Sequence, residues 1–366
     1  MRAASRSLLA WLVLAPWAGA ADVRPVTLGL VAPPSEPAAA SLVRGARLAV
    51  ADAGGPGSAP VALEVRGGEG QWGTVGNDAV VLVCTRHVDA LIAPSDGAAS
   101  HLILQVAGRT RVPVATLCAD SSVTEAGVPW AVRVVARNDQ EAEALFVAAR
   151  PAGGPAPRWF AVIPADRPGR VVRRDLEAAA RRSATPLARI LEDGPKPDAA
   201  ARARAIAAEA PDGVLLWLAP ARAGTVAAAL RAAGYRGYLA GPAPLDSPAF
   251  VAAAGAAADG VLVADYRAGA DGRVAAERFA AEYRRRFGVE PDASAAAAYD
   301  AARVLIETLR RAGKGAAYQL FPPGQPVAGV TGEIGFDASG NRTGAPQVLI
   351  SREGRFVPNP PTESQP

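Results

Sequence analysis

Apolar positions recur along this chain in two alternating rhythms. Short β-branched runs, such as Val26–Val31 and Val61–Arg66, alternate with stretches whose apolar residues return every three to four positions, such as 38–53. The first rhythm predicts strands at 26–31, 61–66, 88–92 and 112–117, separated by helices over 38–53, 75–86 and 98–109. A helix over 139–149 and a Gly/Pro-rich loop, 151–157, then introduce a second unit. Its strands fall at 159–163, 187–190, 213–218, 237–240 and 260–264, with helices over 169–184, 199–209 and 224–234 between them. Two long amphipathic helices, 274–287 and 293–312, lead to short strands within 331–356 that turn at 337–340 and 353–354. This alternation predicts an α/β fold of two lobes, each a mostly parallel sheet flanked by helices. Ligands of such sheets bind outside the carboxyl ends of the strands.

The amino terminus breaks both rhythms. Arg2 and Arg6 precede an apolar run at 8–14, and Ala18-Gly19-Ala20 supplies small residues for cleavage. That pattern is a secretory leader over 1–21, too short for a membrane span, and it predicts a soluble periplasmic protein. The 366 residues are 50% hydrophobic and 20% charged, enough for a sizeable core divided between two lobes. Without Arg2 and Arg6, 37 basic residues face 35 acidic ones, and the signs interleave. No basic tract could follow a phosphate backbone, so no nucleic acid is expected as partner. Cys84 and Cys118 allow two readings: an oxidising compartment favours a bridge, whereas their places in a parallel βαβ arrangement fall at opposite sheet edges.

Several stretches carry a family likeness. Leu28-Gly29-Leu30-Val31-Ala32-Pro33, Val88-Asp89-Ala90-Leu91-Ile92-Ala93-Pro94 and Val112-Pro113-Val114-Ala115-Thr116 resemble the early strands of ABC-transporter receptors of the leucine/isoleucine/valine-binding family. Ala298-Tyr299-Asp300-Ala301 and Gly329-Val330-Thr331-Gly332-Glu333-Ile334-Gly335-Phe336-Asp337 are similar to its late helix and hairpin, in family order. Gln71-Trp72-Gly73, Asp96 to His101 and Val128 to Arg133 resemble a divergent branch of these receptors. The resemblance implies a type I periplasmic-binding fold whose chain crosses between lobes near 138, 266 and 328. The implied lobes are 22–138 plus 267–327 and 139–266 plus 328–357, with a tail over 358–366. It also implies a monomer that captures a small molecule and meets the membrane subunits of an ABC permease, with no cofactor and no metal.

The same resemblance points to site residues, and this chain departs from the family at most of them. The serine expected at the start of the helix after Pro94 is Gly97; the N–H groups of Gly97 and Ala98 remain as anion donors, while Asp96 suits a helix cap. The next loop has Ala119 and Asp120 where the family has an Ala-Thr pair, followed by Ser121. Asp120 would suit a cationic or hydroxylated ligand and repel a carboxylate, or it caps the following turn. A stacking tyrosine is replaced by Pro168, and the acid that receives an α-ammonium by Ala243. His101, one turn beyond Gly97, could reach the cleft or serve structure; Trp72 could line the cleft or pack; Arg167 could meet an anion or stay solvated.

Three function classes remain: a transport receptor, a sensory module using the same closure, and an extracytoplasmic hydrolase. Catalysis lacks support, because His87 and His101 stand in no HxxxH, CxxC or GxSxG setting. A set assembled from His101 and Asp120 with a serine would be needed.

Overall fold

The structure, a computed structural model, describes residues 25–54, 58–67, 73–151, 153–194, 198–267, 272–312, 321 and 324–359. The expected leader, Trp72 and residues 360–366 lie outside these.

Strands β1 (Val26–Val31), β2 (Val61–Arg66), β3 (Ala90–Ala93), β4 (Val114–Thr116) and β5 (Ala131–Arg133) form the first sheet. Their order is β2-β1-β3-β4-β5, with every pairing parallel. Alternation along the strands sends Leu28, Leu30, Ile92 and Ala115 to one face, where they meet Leu42 and Leu48 of α1 (Ala39–Ala53). Two later helices, α10 (Arg273–Phe287) and α11 (Ala293–Ala312), close that face with Phe279, Val304 and Leu305. Gly45 permits α1 to approach α11, since a Cβ there would lie 2.1 Å from the Ala295 carbonyl oxygen. The opposite strand positions, Val31, Leu91 and Val114, meet Leu82, Ile103 and Leu104 from α2 (Gly73–Val80), its π-helical extension at Val81–Thr85, and α3 (Gly97–Thr110). Burial on both faces is why the strands read as continuous apolar runs.

The second sheet repeats this scheme. Its parallel part is β6 (Trp159–Pro164), β7 (Leu187–Asp193), β8 (Gly213–Leu216), β9 (Tyr238–Pro242) and β10 (Leu262–Asp265), in the order β7-β6-β8-β9-β10. Helices α5 (Asn138–Ala148) and α6 (Arg167–Arg182) cover Trp159, Ala161 and Leu215. On the other face, α7 (Ala199–Glu209), α8 (Pro220–Ala232) and α9 (Pro248–Ala254) cover Phe160, Val162 and Val214. A short helix α4 (Ser122–Glu125) precedes β5, and a hairpin, β11 (Val327–Gly329) with β12 (Gly332–Ile334), places Val327, Val330 and Ile334 in the first core. Strands β13 (Gln347–Arg352) and β14 (Arg355–Pro358) then extend the second sheet antiparallel at the β10 edge.

This is the two-lobed, mostly parallel α/β architecture expected from the sequence. In both sheets the second strand lies outside the first, so the order reverses between β1 and β3 and again between β6 and β8. Those are the switch points at which crevices open. Cys84 is exposed and Cys118 buried, and they are not bridged; burial pushes the Cys118 thiol up to about 12. No helix among the described residues is long and apolar enough to cross a membrane.

Candidate functional site

The loops at both switch points meet across one cavity of about 560 Å³. Glu36 enters it from the loop after β1, Ser95 and Asp96 from the loop after β3, and Asp166 from the loop after β6; Ala98 comes from the first turn of α3, and Arg167 and Pro168 from the first turn of α6. Two helices start here. Asp96 caps α3 by accepting from the Ala99 N–H at 2.7 Å, and Asp166 caps α6 by accepting from the Gly169 N–H at 3.2 Å. The Gly97 and Ala98 N–H groups have no intrahelical acceptor, as at any helix start. Glu36 Oε1 accepts from the Ser95 N–H at 2.9 Å and from the Ser95 hydroxyl, whereas its buried Oε2 has no hydrogen-bond partner. Burial pushes the Glu36 carboxyl above its usual range, with the neighbouring Asp96 adding to the shift.

Beneath this cavity the β4 loop forms a closed polar cluster. Asp120 Oδ1 accepts from the Ser122 N–H at 2.8 Å and the Ser122 hydroxyl at 2.7 Å. Ser122 Oγ also lies 2.9 Å from His101 Nε2. Serine, histidine and aspartate therefore come together, but with the serine hydroxyl spent on the carboxylate. A nucleophilic triad needs histidine between the two, so this order does not activate Ser122. Asp120 Oδ2 abuts Gly97, where a Cβ would stand 2.7 Å from it. The loop is held from below by Arg133, which is fully buried. Its guanidinium donates to the carbonyls of Cys118 and, at 2.7 Å, Asp120. It also donates to Thr124 Oγ1 at 3.0 Å and Asn341 Oδ1 at 3.2 Å. Desolvation pulls its pKa below the ordinary arginine value.

The two lobes touch directly behind the cluster. Ser121 Oγ donates to Asp175 Oδ1 of α6 at 2.7 Å, and Arg174 donates to the same hydroxyl. Asn138, at the first crossing, donates from Nδ2 to Asp175 Oδ2 at 3.0 Å and accepts from Trp217 Nε1 at 3.0 Å. Its backbone N–H donates to the Ala119 carbonyl at 3.0 Å. Burial raises the Asp175 pKa. On the second lobe, the Ala243 N–H donates to Glu141 Oε1 at 3.1 Å. Glu141 is buried with Oε2 unpartnered, and desolvation holds its pKa well above the carboxylate range.

Of the residues singled out in the sequence, Asp96, Ala98 and Arg167 line the cavity, and Gly97 borders it through Asp120. Ala119, Asp120, Ser121 and His101 belong to the cluster beneath. Ala243 stands apart beside Glu141. Sequence reasoning passed over Glu36, Arg133, Asn138, Asp175 and Trp217. Arg133 carried a signal, a charge closing an apolar strand; Glu36 sits between the strand expected at 26–31 and the helix expected over 38–53, at the carboxyl end of that strand. Among the described residues no group of three or more His, Cys, Asp or Glu side chains is placed to hold a metal. A larger hollow, about 1000 Å³, lies between α5 and the β13–β14 edge. It is lined by one lobe only and lies off the switch points.

The chain has the architecture of known receptors. A leucine-binding protein from Thermotoga maritima superposes with a TM-score of 0.78 at 20% identity, over 91% of this chain and 97% of that one. A branched-chain amino acid transporter substrate-binding protein from Streptococcus pneumoniae, in complex with isoleucine, gives 0.77 at 17% identity over 92% and 100%. An ABC-transporter solute-binding protein from R. palustris, in complex with benzoate, gives 0.77 at 18% identity over 92% and 95%. No curated protein matches the sequence. Residues 25–350 match the family described as periplasmic binding protein, and the chain belongs to that family.

Proposed function

We propose that this protein is an extracytoplasmic receptor that captures a small organic solute between its lobes and delivers it to an ABC-type permease. The observation that carries this reading is the cavity where the switch points of both sheets meet. Its volume suits a ligand of metabolite size. A solute touching Asp96, Ala98 and Arg167 at once would stabilise the state in which the lobes approach. The crossings near 138 and 266, and the return between the β11–β12 hairpin in the first core and β13 rather than at 328, would absorb the backbone change. The closed shape is then what a permease recognises. Relatives of this architecture bind leucine, isoleucine or benzoate, which supports solute capture as the role without naming the solute here.

A thermal-shift panel of amino acids, amines, organic acids, alcohols and aromatic acids tests capture. A solute present at a hundred times its Kd adds about 2.7 kcal/mol to the folded state, a shift of several degrees. A panel blank for every class would count against solute capture. Delivery is checked by reconstituting the permease in vesicles and asking whether the loaded receptor stimulates its ATP hydrolysis.

A further inference from the structure

We infer that the inter-lobe cavity is built for a protonated amine and against a carboxylate, with Glu36 as the group that receives the ammonium. This rests on the receptor reading above and narrows it to a ligand class.

Three observations carry it. The first is charge: among the described residues, Glu36, Asp96 and Asp166 line the cavity against one guanidinium, Arg167. The second is that the positive end of α3 is already answered. Asp96 caps it from within, and Asp120 sets Oδ2 against Gly97, the first residue of the helix. A ligand carboxylate approaching those N–H groups would meet two carboxylates already there, and like charges in a cleft of reduced dielectric repel strongly. The third is Glu36 itself. Its Oε1 is committed to Ser95, while Oε2 is buried without a donor. A buried acceptor left unmade costs free energy until a donor reaches it, and a charged donor recovers the most.

Ammonium binding has a further signature. The charged groups facing Glu36 are Asp96 from α3 and, across the cleft, Asp166 and Arg167. Burial and Asp96 hold the Glu36 proton on, so a cation that needs the ionised carboxylate must displace it. Affinity for an amine therefore rises with pH above the ordinary glutamate value, as long as the pH stays below the pKa of the amine itself.

The test is calorimetric titration of the purified protein with 1,4-diaminobutane, leucine and benzoate at about pH 5, just above the ordinary glutamate value, and at about pH 7.5, well above it. Expected are diamine binding that tightens at the higher pH and no binding of benzoate. Glu36→Gln should weaken the diamine by roughly tenfold or more, the loss of one charge-assisted hydrogen bond. Asp96→Asn serves as second variant, with a smaller loss in the same direction. Binding of leucine or benzoate without the diamine would overturn the inference and leave the receptor reading standing. Diamine affinity unchanged in Glu36→Gln would overturn the role of Glu36. Failure of the diamine to bind at either pH also overturns the inference, and only a panel blank for every solute class reaches the receptor reading beneath it.

Discussion

Two loops at the carboxyl edge of the first sheet carry similar side chains and use them in opposite ways. In the loop after β4, Asp120 spends Oδ1 on Ser122 and packs Oδ2 against Gly97, Ser121 is spent on Asp175, and the carbonyls of Cys118 and Asp120 on Arg133. In the loop after β1, Glu36 retains an unpartnered oxygen beside a cavity. The contrast separates chemistry from availability. An aspartate whose Oδ1 its own loop already engages is a poorer ligand group than its position suggests, and under the amine proposal recognition falls to the buried Glu36 oxygen whose partner the chain does not supply.

That contrast can be broken at several points. The largest effect is expected from Arg133→Met, which leaves buried carbonyls without their donor: a loss of roughly 3 kcal/mol or more by urea unfolding. A loss below about 1 kcal/mol would mean that the β4 loop is not held from beneath. Next is Gly97→Ser, whose Cβ meets Asp120 Oδ2; a cost of about 1–3 kcal/mol is expected. Combining it with Asp120→Thr should cost less than the sum of the two single changes, and a double-mutant cycle reads the coupling. Asp120→Ala alone removes a cap on Ser122 and should cost about 1 kcal/mol in thermal or urea melts. Weakened solute binding with unchanged stability would return Asp120 to the ligand-contacting set.

The smallest effect is on pH dependence. Burial raises the Asp265 pKa to about 6, with Arg267 opposing the shift. The folded protein thus holds this proton more tightly than the unfolded chain does. The stabilisation is full below the unfolded value and is lost as pH rises through about 6. The melting temperature should rise modestly between pH 7 and pH 5, with a shallower rise in Asp265→Asn.

Much of the fold was legible because buried parallel strands and amphipathic helices leave regular patterns. The β1, β2 and α11 bounds follow directly from them. Where local geometry departs from a regular element, the pattern misleads: the helix expected over 75–86 becomes α2 plus a π-helical turn. The short α9 went unseen although Ser247 before Pro248 is a legible start, its Oγ accepting from the Phe250 N–H at 3.4 Å. The site was harder. Loop positions after strands could be counted, so Asp96, Ala98 and Arg167 were found at the cavity. Asp175 lies two turns along its helix, and its link to Ser121 depends on how the lobes meet, which no local pattern encodes. Glu141 likewise faces Ala243 from a helix 102 positions away in the chain.

The abutment of Asp120 on Gly97 has a consequence for how this cleft changes over generations or in the laboratory. The two positions behave as one allele. A hydroxyl regained at 97 while the acid remains collides with it, and removing the acid alone uncaps the following turn before any new contact exists. Each single step is expected to cost stability, so passage to a carboxylate-accepting cleft is easiest with both substitutions together or with a stabilising change made beforehand elsewhere. Libraries that vary these positions one at a time would miss that route, and paired randomisation of 97 and 120 would reach it.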